Sequence, residues 1–89
     1  MTLQLQIEKL TGLDNYKAWS WTVGAYLASE DLIEVLEYGP GKDKESRLKN
    51  ARAKFIILCL IETKLCQSLK YFSTAHDLWY YLKTQYSSC

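Results

Sequence analysis

The chain has 89 residues, a net charge of +1, 48% hydrophobic and 24% charged residues. That length fits one domain with a core that must be dense, because a chain this small buries only about 60% of its unfolded surface. Three Trp and seven Tyr supply bulky core material, so the composition excludes disorder, and the near-neutral balance excludes a surface that binds polyanions throughout.

Charge is unevenly placed. Residues 1–41 sum to −4 and residues 42–54 to +4. Such a split is able to orient copies of a protein head to tail or to dock an acidic partner. Glu30, Asp31 and Glu34 on one side, and Lys44, Arg47, Lys49 and Arg52 on the other, are the candidate electrostatic contacts. The three cysteines, Cys59, Cys66 and Cys89, form no paired pattern and no zinc spacing, which fits a reducing compartment. The longest apolar run, Phe55 to Ile61, is far short of the ~20 residues of a membrane span. The start of the chain lacks a basic segment followed by a long apolar one, so a cytoplasmic or nuclear location is expected, with no membrane partner.

Along the chain, Leu3, Leu5 and Ile7 alternate with polar residues, which predicts an extended arm over residues 1–9. A helical bundle then fills residues 10–87, and the whole is a single all-α domain of about five helices. Asp14 or Asn15 is placed to cap a helix starting near Tyr16. Tyr16, Trp19, Val23, Tyr26 and Leu27 share one of its faces, and Trp21, Ala25 and Ala28 the opposite one. A helix apolar on two sides is central in a bundle or contributes to an interface. Gly24 within it is expected to permit close packing.

A short helix holding Leu32, Ile33, Val35 and Leu36 follows, capped by Ser29 or Asp31 and stopped by Gly39-Pro40-Gly41. A third helix is expected from about residue 44 to 62, with Leu48, Ala51, Phe55, Leu58 and Cys59 facing the core. Its second half is apolar all round and has strand propensity, but strong helix formers precede it and no breaker intervenes. A short helix over residues 63–72 precedes the last one. Thr74-x-x-Asp77 resembles a capping box, and Ala75, Leu78, Trp79, Leu82 and Tyr86 form the buried stripe.

No catalytic constellation, metal-ligand set or phosphate loop is legible, so neither an enzyme nor a cofactor is expected. His76 is the only histidine and reads as a surface residue. The Lys42–Lys54 segment has no interleaved aromatic to stack bases, so nucleic acid is at most a weak partner.

Leu10-Thr11-Gly12 followed by Asn15-Tyr16-x-x-Trp19-x-Trp21 resembles the opening of copia-type retrotransposon Gag. Leu32 to Leu36, Ala51 to Ile61, and Thr74-Ala75-x-Asp77-Leu78-Trp79-x-x-Leu82-x-x-x-Tyr86 resemble its later segments, in order. The resemblance implies an N-terminal capsid-like lobe that takes part in self-assembly of virus-like particles, with itself or related Gag chains as partners. It ends before a second capsid lobe would begin, so an excised domain or a truncated, host-adopted copy is expected. The alternatives are a domesticated lobe that binds short apolar peptides and a truncated Gag that interferes with particle assembly. For the peptide or partner, the arm residues Leu3, Leu5 and Ile7 are expected in a groove walled by Trp21 and Ala25 on the first helix and Tyr80 or Tyr81 on the last.

Overall fold

Five helices make up the fold among the residues described by the computed structural model, which are 7–67, 69 and 72–86. They are α1 (Tyr16–Ser29), α2 (Ile33–Tyr38), α3 (Lys44–Cys59), α4 (Thr63–Cys66) and α5 (Ala75–Tyr86). The apolar stretch at 55–61 is helical as far as Cys59. Extended pairing among the described residues is confined to one parallel bridge between Leu10 and Ile61.

That bridge explains how the polypeptide enters α1. Leu10 is fully buried; its N–H donates to the Leu60 carbonyl at 2.8 Å and its own carbonyl accepts from Glu62 N–H at 3.0 Å. Asn15 occupies the N-cap position of α1 but gives the helix no side-chain cap. Its side chain points backward instead. Oδ1 accepts from the Thr11 N–H at 3.0 Å and Nδ2 donates to the Lys9 carbonyl at 2.9 Å. An Asn carries both an acceptor and a donor on one planar group, so it can tie two points of a turn at once.

The end of α1 differs from the expected cap for α2. Asp31 stands at φ 61. Its N–H reaches the Ala28 carbonyl at 3.1 Å, and the Leu32 N–H reaches that of Leu27 at 2.9 Å. This pair of bonds around a left-handed residue is a Schellman motif, and buried Leu27 and Leu32 supply its apolar contact. Neither Ser29 nor Asp31 caps α2, whose N-cap position is Leu32. Gly39, at φ 83, ends α2 with its N–H on the Val35 carbonyl, as the Gly-Pro-Gly sequence predicts. Asp43 begins α3 by accepting the Ser46 N–H at 3.1 Å. Thr74 begins α5 by accepting the Asp77 N–H at 3.0 Å.

Helix α5 packs against α2 and α3, α2 also packs on α3, and α1 lies on α2. Leu27, Leu32, Leu36, Ile57, Leu78 and Leu82 are among the fully buried side chains at the centre. The face of α3 turned inward is Ala53 and Ile57, not the expected stripe. Leu48 and Phe55 are 60% and 66% exposed, Ala51 and Cys59 are exposed, and Leu58 is half-buried. Two features select the other face. Ala53 is fully buried there, and Asn50, one turn earlier, accepts the Ala75 N–H at 2.8 Å, which satisfies an orphan donor at the start of α5.

Other assignments shift by smaller amounts. Helix α4 is a single turn rather than a helix reaching residue 72, and Leu69, beyond it, is buried. Trp79 is half-buried against the core rather than enclosed. Gly24 is not needed for close packing, since a Cβ there would stand 4.0 Å from Trp79 Cζ2, an ordinary contact. His76 is no free surface residue: its Nδ1 lies 2.9 Å from the Leu36 carbonyl. A carbonyl oxygen only accepts, so Nδ1 carries the proton and ties α5 to α2.

Candidate interaction surface

Aromatic side chains hold α1 against α5. Trp19 and Trp79 meet with ring centroids 5.7 Å apart, and Tyr16 and Tyr86 at 6.1 Å. Tilted pairs at this spacing add roughly 0.5–1.5 kcal/mol each to their burial. Because rings this large separate the helices, an open groove of about 540 Å³ remains between α1 and α5. Leu13, Trp21 and Lys17 line one wall, and Trp79, Lys83 and Tyr86 the other. Trp21 is 70% exposed, and the Lys17 ammonium stands 5.6 Å from its ring centroid, a cation–π contact. Burial raises the Tyr16 hydroxyl above its ordinary pKa, against a smaller opposing hydrogen bond with Ser20.

The second apolar side of α1 is therefore an exposed face: Trp21, Ala25 and Ala28 all lie open to solvent. The predicted groove does not form as one unit. Trp21 lines the α1–α5 groove, but Ala25 does not. Tyr80 and Tyr81 belong to a separate hollow with Phe72, where the Phe72 and Tyr81 rings pack 5.0 Å apart. Helical geometry accounts for this, since positions 80 and 81 point away from the Trp79–Lys83–Tyr86 edge of α5.

Ile7 marks a third place. It is half-buried against the core and lines an apolar hollow of about 220 Å³ with Tyr26, Phe55, Ile56, Cys59 and Leu60. The chain thus approaches on the α1–α3 side, opposite to the expected walls. Leu3 and Leu5 lie outside the described residues. Cys59 is exposed, while the Cys66 thiol is half-buried and donates to the Leu58 carbonyl at 3.2 Å. Burial raises the Cys66 pKa, with Cys59 adding to the rise and Lys9 opposing it.

The charged candidates divide into two groups. Arg52 pairs with Glu30 at 2.6 Å, and Lys49 with Asp31 at 3.0 Å and Glu45 at 3.6 Å. The Arg52–Glu30 and Lys49–Asp31 pairs join the end of α1 to α3 within one molecule, and the Lys49–Glu45 pair lies within α3. The hydrogen bond that Lys49 donates to Asp31 is the largest cause of a raised Lys49 pKa. Glu34, Lys44 and Arg47 make no ion pair among the described residues. At the α2–α3 junction a notch of about 440 Å³ has Glu34, Asp43, Glu45 and Lys49 in its lining and Tyr38 at its rim, 79% exposed.

The sequence reading missed Lys17, Lys83 and Tyr38 as surface determinants. A signal for the first two exists: Lys17 with Trp21, and Trp79 with Lys83, are each four residues apart and so share a helix face. Among the described residues no group of three or more His, Cys, Asp or Glu is placed to hold a metal ion, and no helix is long and apolar enough to cross a membrane. No protein-family model, curated protein or solved structure matches the chain.

Proposed function

We propose that this chain is a structural interaction module of the Gag capsid type, which associates with copies of itself or with related Gag chains and catalyses no reaction. The observation that carries the reading is the exposed apolar surface. Leu13, Trp21, Tyr38, Leu48, Phe55 and Tyr80 are 58–79% exposed on a chain of 89 residues. They fall in separate places, but Leu13 and Trp21 share the α1–α5 groove with Trp79 and Phe55 lines the hollow beside Ile7, and shared apolar linings of this kind suit interaction surfaces. The residues behind the resemblance to copia-type Gag also share one structural task. Leu10, Tyr16 and Trp19 fasten the start of α1 to the end of α3 and to α5, and Asn15 ties the turn between Lys9 and α1, which supports reading the pattern as a fold signature.

Sedimentation and light scattering over a range of protein concentration test the reading. The mass is expected to grow with concentration, and a constant monomer mass up to the millimolar range overturns self-association. The hollow beside Ile7 favours a second reading, a lobe that takes up a short apolar peptide. Capture of full-length copia-type Gag by the immobilised chain, with no growth in mass alone, supports a third, a truncated Gag that enters and disrupts particles.

A further inference from the structure

We propose that copies of this chain join head to tail, the Tyr38 knob of α2 on one copy entering the α1–α5 groove of the next. This rests on the self-association reading and names the surfaces that carry it. The groove presents two ammonium groups, Lys17 and Lys83, beside the aromatic walls of Trp21 and Trp79. Neither ammonium forms an ion pair among the described residues. Its complement is a carboxylate-flanked aromatic ring. The chain itself displays one: Tyr38 is 79% exposed at the end of α2, with exposed Glu34 and Glu37 on the same short helix. Those two carboxylates are also without an ion pair among the described residues. Lys49 lines the notch at its base, where its ammonium pairs with Asp31 and Glu45, and Lys42 and Lys44 lie outside that lining.

The knob and the groove have different linings on one molecule, with no residue in common. The knob follows the strand of contacts at the start of α5, where His76 binds the Leu36 carbonyl and Gly39 stands against the His76 side chain. The groove runs along α5 from Trp79 to Tyr86. At 1.5 Å per residue, its α5 wall extends from roughly 5 to 15 Å beyond His76 along the helix. The two surfaces of one molecule therefore face different neighbours. A contact between unlike surfaces is heterologous, and it closes into a ring or extends as a filament. Entering the groove would cover Trp21 and Tyr38, two of the most exposed large side chains.

The test uses two charge-reversed variants of the chain in sedimentation velocity. In Lys17→Glu/Lys83→Glu the groove is acidic, and in Glu34→Lys/Glu37→Lys the knob is basic. All four positions are exposed, and circular dichroism verifies that each variant folds. Each alone is expected to lose association by about tenfold or more, because like charges meet. Mixed in equal amounts they are expected to regain it, since acidic groove then meets basic knob and the native surfaces meet each other. Tyr38→Ala is expected to weaken association without altering its salt dependence. Self-association that persists in both single variants overturns this interface while leaving the self-association reading intact. A mixture that stays dissociated also overturns the interface. A wild-type chain that remains monomeric overturns both.

Discussion

The indole N–H of Trp19 donates to the carbonyl oxygen of Leu60 at 2.8 Å, the same oxygen that accepts the amide of Leu10 at 2.8 Å. One carbonyl just past the last turn of α3 thus gathers the core of α1 and the chain that precedes it. Carbonyls at a helix end have no partner within the helix, and these donors satisfy one of them. Trp19→Ala removes a 3% exposed side chain and is expected to cost about 3–5 kcal/mol. Trp19→Phe keeps a ring and loses the donor, for about 1–2 kcal/mol. Trp79→Ala, at a half-buried position, is expected to cost less than Trp19→Ala. Urea unfolding of the three variants checks the order.

Asp31 holds φ 61, a region that Asn and Gly tolerate and branched side chains do not. Asp31→Val is expected to lose on the order of 1–2 kcal/mol, through the backbone and not the ion pair. Asp31→Asn keeps the local preference and removes only the charge facing Lys49, an exposed pair that contributes little, so it is expected to melt close to the parent. Thermal melts that fall equally for both variants would show that the charge, not the turn, matters here.

Gly24 sits inside α1 with room for a methyl group, the nearest foreign atom being 4.0 Å from a built Cβ. Gly24→Ala is expected to stabilise the protein by about 0.5–1 kcal/mol, by restricting the unfolded chain. A lower melting temperature would mean that α1 and α5 are closer in solution.

Alkaline pH is expected to weaken the fold in two steps. Cys66 and Tyr16 are neutral when protonated, and burial keeps the proton on, raising both pKa values in the folded state. Their contribution is complete below the ordinary values of 9.0 and 10.0. It is lost as pH rises through the higher folded values. Melting temperature should therefore decline above about pH 9, and Cys66→Ala should remove the earlier part of the decline. Alkylation followed by mass mapping should label exposed Cys59 faster than Cys66.

The sequence made the helices legible because caps and stops are local. Gly39-Pro40-Gly41 and Thr74-x-x-Asp77 act through atoms within a few residues. The core face of α1 was equally plain, since Tyr16, Trp19, Val23 and Leu27 repeat at helical spacing. The orientation of α3 was not. Residues 55–61 are apolar on every side and give no direction, and the deciding contact joins Asn50 to Ala75, 25 residues away. The surface was legible only in part. The two-sided pattern of α1 left a central helix and an interface helix equally open, and only the fold shows that Trp21 is exposed. The groove opposite it depends on the thickness of the Trp19–Trp79 and Tyr16–Tyr86 pairs, which only the packed fold defines.

The bridge between Leu10 and Ile61 also imposes an order on assembly. The pairing closes a loop of about fifty residues, and the entropy of closing it is offset only after the intervening helices have shortened the path. Helices α2 and α3 follow one another closely in the chain and can meet early. Leu10 must wait until α3 has ended and turned at Leu60. The same logic run backward makes the bridge an early point of release: once Leu10 leaves, the segment ahead of α1 loses its hold on the end of α3. Amide exchange at Leu10 and Glu62, whose N–H groups make the two bridge bonds, would then run ahead of exchange at the middle of α5.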